Sequence, residues 1–175
     1  MITIAADRPV AMESSIAAVK RVIVGVDDTE PGLAALATAT RLARSYDAQL
    51  VAVRAWALGL PRHGGRRMRH LSHPHVVLSF SGVEQCEAAK ELVRKAFSSA
   101  VGGMPADVPV TIETPAADPA LALLCLASQP GDVIVVGKNP GYPARRFVHG
   151  SVGRYCTRHA KCPVLLVPAA PAERD

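Results

Sequence analysis

Five short apolar runs, most of them rich in β-branched residues, recur along the chain with helix-period segments between them. They span residues 21–26 (RVIVGV), 49–56 (QLVAVRAW), 108–114 (VPVTIET), 131–136 (GDVIVV) and 163–167 (PVLLV). A strand that is apolar at almost every position must be covered on both faces. Strands alternating with helices in a parallel sheet supply that cover. The segments between the runs fit the helical role. Residues 31–46 place Leu33, Leu36, Ala37, Thr40 and Ala43 at helical spacing, with Pro31 at an early position and Asp47-Ala48 as the stop. Residues 83–100 carry Cys86, Ala89, Val93, Ala96 and Phe97 on one face, and Gly102-Gly103 ends them. Asp118-Pro119 opens a third helix to about Ser128, and residues 151–159 form a fourth. Pro109 places the third strand near an edge, because proline donates nothing to a ladder. The order β-α-β-α-β-α-β-α-β predicts an α/β fold with helices on both faces of a parallel sheet. Right-handed crossovers leave few ways to wind it.

Length and composition agree with one domain. The chain has 175 residues, 49% hydrophobic and 20% charged. A chain of this size buries about 70% of its unfolded surface and needs no disulfide or metal to hold a core. Residues 1–19 read as a flexible N-terminal extension without the pattern of a secretory signal, and 169–175 as a tail. No apolar run approaches the ~20 residues that span a bilayer, so a membrane role is not expected. Cys86, Cys125, Cys156 and Cys162 form no CxxC pair and no zinc spacing. Cys86 and Cys125 fall on apolar stretches, where free thiols act as small hydrophobes. This usage fits a reducing, cytoplasmic setting. The net charge of +5 favours anionic partners.

The connection 57–82 breaks the rhythm with Gly59, Pro61, Gly64, Gly65, Pro74 and Gly82. It reads as a long basic loop. Residues 62–75 hold Arg62, Arg66, Arg67 and Arg69 with His63, His70, His73 and His75, and no acid. No cysteine or acid stands beside the histidines to complete a metal set, so no metal is expected. With one tryptophan, three tyrosines and three phenylalanines in the chain, the basic run has no stacking surface for nucleic acid.

In an open parallel sheet, ligands sit beyond the carboxyl ends of the strands where the winding reverses. Two strand ends carry unusual chemistry. The first runs Gly25-Val26 into Asp27-Asp28-Thr29. The fourth runs Val136-Gly137 into Lys138-Asn139-Pro140-Gly141, followed by Arg145-Arg146, then His149-Gly150-Ser151-Val152 opening a helix. Glycines admit close backbone approach, and Ser151 caps a helix whose free N–H groups favour phosphate. Lys138, Arg145 and Arg146 add positive charge. Two readings stand side by side: a polyphosphate cradle, or a helix start at Gly150-Ser151 with Asp27 capping a local turn. Neither a Walker loop nor a GxGxxG fingerprint is present. No GxSxG elbow, HExxH or catalytic triad can be assembled, so no catalytic residue is expected.

VIVGVDDTEPGLAAL resembles the first strand and turn of universal stress proteins. VIVVGKNPGYPARRFVHGSVGRYCTRHAKCPVLLVP is similar to their C-terminal signature without a gap. The resemblance covers 20–168 as one domain. It implies an open five-stranded sheet in the order 3-2-1-4-5, a Rossmann-like fold of the adenine nucleotide alpha hydrolase kind, and a homodimer through the last strand. It also implies a stress-response protein that binds ATP, with or without magnesium, or a related adenine nucleotide as a regulatory ligand, rather than an enzyme, slow ATP hydrolysis aside. A protein partner, not identifiable from sequence, would read the bound state.

The implied binding residues are Gly25, Val26, Asp27, Ala55, Val136, Gly137, Gly141, Arg146, Gly150, Ser151 and Val152. In the motif G-x2-G-x9-G-[ST], Gly137, Gly150 and Ser151 match, while Pro140 replaces the second glycine and Gly141 lies one place on. Proline removes an N–H donor there. Asp28 adds a negative charge where the family often has glycine. The alternative is a nucleotide-independent dimeric interaction module, which Pro140 favours.

Overall fold

The computed structural model describes residues 18–56, 81–138 and 152–169. The apolar runs become β1 (Arg21–Gly25), β2 (Gln49–Val53), β3 (Val110–Glu113), β4 (Asp132–Lys138) and β5 (Val164–Pro168). Between them stand α1 (Glu30–Tyr46), α2 (Ser81–Val101), α3 (Pro119–Leu126) and α4 (Val152–His159). All neighbouring strands pair in parallel, in the order β3-β2-β1-β4-β5. The expected α/β fold and winding are both present, with β3 at an edge.

Successive strand residues point to opposite faces, and two cores result. Val22, Val24, Leu50, Ala52, Val133 and Val135 face α1 and α2 with Phe97 and Leu36. Ile23, Val51, Val53, Ile134 and Val136 face α3 and α4 with Leu123 and Cys156. Phe97 is fully buried, and its truncation to alanine would cost about 3–5 kcal/mol.

The helices begin and end where local chemistry permits. Thr29 caps α1, its Oγ1 accepting from the Gly32 N–H at 3.2 Å. Asp47 closes it in the left-handed region, φ 50°. At the end of α2, Gly102 takes φ +83°, and the Gly102 and Gly103 N–H groups return to the Ser98 and Phe97 carbonyls. Asp118 caps α3 through Oδ1, which accepts from Ala120 N at 2.9 Å and Leu121 N at 3.2 Å.

At the amino ends of the strands, Arg21 and Asp132 lock β1 to β4. The guanidinium donates from Nε to Oδ1 at 2.8 Å and from Nη2 to Oδ2 at 2.7 Å, and Nη2 also reaches the Leu126 carbonyl. The Asp132 side chain is wholly buried. Its carboxylate hydrogen bonds raise the Arg21 pKa.

Several boundaries differ from expectation. The connection expected over 57–82 ends earlier, because Ser81 and Gly82 already belong to α2. Gly82 stands in the first turn facing the Trp56 ring, where a glycine interrupts nothing. β4 extends past Val136 through Gly137 and Lys138, which pair with Val167 and Pro168 of β5. Cys125, expected among apolar neighbours, is exposed. All eight residues of α3 are apolar except its cysteine, so no periodicity marks the outward face, which Cys125 shares with exposed Leu121. Among the described residues, no helix is long and apolar enough to cross a membrane.

Candidate functional site

The site begins with a mismatch in strand pairing. β1 and β4 stay paired only to Val24 and Val135. β4 continues against β5 as far as Lys138, and β1 continues toward β2, with Val26 N–H on the Val53 carbonyl at 2.9 Å. The two central strands therefore part at their carboxyl ends, and the β1-facing edge of residues 136–138 is left open. A cavity of about 220 Å³ lies there. Its lining brings together Gly25, Val26, Asp27, Ala55, Val136, Gly137 and Val152, seven of the residues expected from sequence. Gly141, Arg146, Gly150 and Ser151 lie outside the described residues, as do Pro140, Arg145, His149 and residues 62–75.

Two glycines stand where another part of the chain approaches closely. A Cβ on Gly137 would fall 2.7–2.8 Å from the backbone of Pro31 and Gly32, so β4 presses directly on the start of α1. A Cβ on Gly32 would meet Asp27 Oδ1 at 1.8 Å, so the carboxylate rests on that glycine. Asp27 Oδ1 accepts from Thr29 Oγ1 at 2.6 Å and from Thr29 N at 3.1 Å. The turn-capping role and the cavity-lining role expected as alternatives for Asp27 thus coexist in one side chain. Its Oδ2 accepts no hydrogen bond among the described residues and is available to a ligand hydroxyl.

The β2 side of the cavity is held by a latch. Arg54 N–H bonds to the Glu113 carbonyl at 2.9 Å and Trp56 N–H to the Pro115 carbonyl at 3.0 Å. The Trp56 indole Nε1 donates to the Thr114 carbonyl at 2.9 Å, and Cys86 Sγ lies 3.0 Å from Thr114 Oγ1. These bonds fix Ala55 between Arg54 and Trp56 and tie the start of α2 to the ends of β2 and β3.

Four lining residues were not anticipated: Val53, Arg54, Pro119 and Leu123. Pro119 reads from sequence only as a helix start, and Leu123 only as part of the helix that follows it. Arg54 did leave a signal, as the single charge within QLVAVRAW. Only its backbone borders the cavity, because strand alternation turns the side chain to the α1/α2 face beside Asp28 and Lys95; Asp27 is the other charged residue in the described lining, and the rest is apolar or backbone. Among the described residues no cluster of three or more His, Cys, Asp or Glu side chains could hold a metal ion.

The universal stress protein family model matches residues 18–168. The chain belongs to the universal stress protein family. Solved universal stress proteins share its fold. One is UspA from Lactobacillus plantarum, with a TM-score of 0.58 and 22% identity over 86% of this chain and 99% of that one. Another is a family member from Burkholderia pseudomallei, with a TM-score of 0.55 and 23% identity over 87% and 98%. A third is a universal stress protein solved in complex with cAMP, with a TM-score of 0.55 and 22% identity over 88% and 100%. No curated protein matches the chain in sequence. As a universal stress protein with a single domain, it carries the family's winding reversal between β1 and β4, where the cavity opens.

Proposed function

We propose that this universal stress protein binds ATP or a related adenine nucleotide as a regulatory ligand in the cavity between the carboxyl ends of β1 and β4. The observation that carries this reading is the open edge of residues 136–138 facing Asp27 across the winding reversal. Val53, Ala55, Leu123, Val136 and Val152 offer apolar walls for a base. The free Asp27 Oδ2 suits a ribose hydroxyl. Beyond Gly137 the chain runs through 139–151, where Gly150 and Ser151 match the phosphate side of the family motif, Gly141 stands one place past its second glycine position and Arg146 adds positive charge. The cavity is smaller than the roughly 300–1,000 Å³ of small-molecule sites, a size that suits the adenosine end with the phosphates carried outward toward 139–151, with or without magnesium. A similar protein was solved with cAMP.

In this reading the protein is a cytoplasmic stress-response sensor rather than an enzyme, slow ATP hydrolysis aside. Occupancy would alter its contact with a protein partner, and a homodimer would form through β5.

The test is to denature purified protein in acid and quantify released adenine nucleotide by chromatography. Release near one equivalent per chain supports the reading. No released nucleotide, together with no heat on titration with magnesium-ATP, contradicts it. The second reading, a nucleotide-independent dimeric module, is favoured by Pro140 and by β5 standing at the sheet edge with Leu165 39% exposed. It predicts a dimer mass by light scattering with no bound nucleotide.

A further inference from the structure

A second recess, of about 200 Å³, opens between α1 and α2 at the carboxyl ends of the strands. It lies on the opposite face of the sheet from the β1/β4 cavity. Its Leu33 and Ala96 belong to the α1/α2 core, whereas Val53, Leu123 and Val136 of the cavity belong to the α3/α4 core. Leu92, Lys95, Ala96 and Ser99 reach it from one face of α2, at helical spacing. With Leu33 of α1, Leu92 and Ala96 make an apolar floor, and Leu92 is left 40% exposed. Arg54 and Asp28 stand at the strand ends. Arg54 is the unusual group. Its side chain is only 22% exposed, yet its guanidinium, with five N–H donors, makes no hydrogen bond among the described residues. Its Nη2 lies 4.0 Å from Asp28 Oδ1, and the Asp28 side chain is 86% exposed. A contact that long to a solvated acid holds it weakly. The Lys95 ammonium and the Ser99 hydroxyl are also without a partner among the described residues. Two lightly committed cations and a hydroxyl therefore line one recess against a single acid.

We propose that this recess is a second ligand site, which takes a small organic carboxylate bearing a short apolar group. The arginine fork matches a carboxylate with two parallel N–H···O bonds. Lys95 adds charge from the α2 wall, the Ser99 hydroxyl donates a further hydrogen bond, and the apolar group covers Leu33, Leu92 and Ala96. The ligand displaces the long Asp28 contact, and the Asp28 carboxylate opposes it from the mouth. The recess is smaller than the roughly 300–1,000 Å³ of drug-sized sites, which limits the ligand to a few carbon atoms. The site does not depend on the nucleotide reading. Arg54 is the one residue that borders both recesses, by its backbone on one face and its side chain on the other.

The probe is isovalerate, titrated into the isotope-labelled full chain while backbone amide shifts are followed by NMR. Isovaleramide serves as the neutral analogue and acetate as the carboxylate without an apolar group. Isovalerate is expected to shift the Leu92, Lys95 and Ser99 amides saturably. Isovaleramide should bind about tenfold more weakly for want of the charge-assisted bonds, and acetate at least about tenfold more weakly for want of apolar contact. Arg54→Gln should weaken isovalerate about tenfold. Lys95→Gln should weaken it by less than about fivefold, because that ammonium is exposed, and Asp28→Asn should tighten it by up to about fivefold. The amide spectrum of each variant reports whether the fold is intact. Lys95→Gln and Asp28→Asn, both at exposed positions, carry the test should Arg54→Gln disturb it. No saturable shift at these amides, an equal response to isovaleramide, or unchanged affinity in the folded variants overturns the proposal.

Discussion

The carboxylate of Asp27 occupies the space that a side chain on Gly32 would need, with Oδ1 1.8 Å from the position of a Cβ there. The helix start and the cavity acid are therefore one packing unit. The same Oδ1 is anchored by Thr29, whose own hydroxyl accepts from Gly32 N–H. Replacing Gly32 has two opposed effects on stability. Alanine gains about 0.5–1 kcal/mol in helix propensity and loses roughly 1–3 kcal/mol to crowding. Because the obstructing atom is the end of a side chain, Asp27 can swing away. Gly32→Ala should then lower stability by only about 1 kcal/mol, while adenosine affinity drops about tenfold through one lost hydrogen bond to a charged group. Calorimetry and chemical denaturation on the same sample measure both.

Gly137 differs in what its Cβ would strike. The obstructing atoms are backbone atoms of Pro31 and Gly32, and they move only if α1 moves away from β4. Gly137→Ala should destabilise by roughly 1–3 kcal/mol, with a fall in Tm of about 2–4 °C per kcal/mol. A thermal melt unchanged by the substitution would show that β4 does not press on α1.

The Arg21–Asp132 lock lies at the opposite end of the sheet from the cavity. Asp132→Ala leaves Arg21 and the Gln129 N–H without their carboxylate. The loss should be about 3 kcal/mol, the low end for a buried pair, because the Arg21 side chain keeps 21% exposure. Ligand affinity should be unchanged. Adding Arg21→Met should recover part of the stability, because an apolar pair leaves no stranded charge. Denaturant titration of the three variants measures this.

The thiols should separate by burial. Burial pushes the Cys156 thiol up to about 11, with Cys162 and Asp118 adding to the shift, and burial also raises Cys162. At about pH 8 an alkylating reagent should label exposed Cys125 first and leave Cys156 unmodified in the native state, since the thiolate is the reactive form. Cys125→Ser should remove the fast phase in a mass-spectrometric time course. The linkage has a definite sign. Cys156 stays protonated in the folded chain while its unfolded counterpart ionises from 9.0 upward, so its contribution is intact below pH 9.0 and is lost as pH rises toward about 11.

Much of this architecture is legible in the sequence because each strand announces itself locally. RVIVGV and GDVIVV are apolar on both faces, and only a doubly covered parallel sheet accommodates them. Asp27 and Gly137 were legible as strand-end residues, and the winding reversal brings them to one cavity. Other features depend on tertiary contact. Gly137 reads as the first loop residue, yet it lies in β4 because β5 reaches far enough to pair with it. Leu123 and Pro119 line the cavity only because α3 packs over the end of β1, with Leu123 against Gly25, and no local pattern reports that packing. Cys125 reads as buried because every neighbour in α3 is apolar, and an eight-residue helix without polar residues hides its own outward face.

The central claim is that the cavity between β1 and β4 takes the adenosine end of a nucleotide. Ala55 lines it from the end of β2, is half-buried, and is held in place by the Trp56 and Arg54 backbone bonds. A phenylalanine there fills the space without entering the closed part of either core. Parallel calorimetric titration of magnesium-ATP into the unaltered protein and Ala55→Phe, with a thermal melt of each, tests the claim most directly. The account predicts one site per chain in the unaltered protein, no measurable binding in Ala55→Phe, and similar melting temperatures. Equal binding by both proteins, or no binding by the unaltered one, would contradict it.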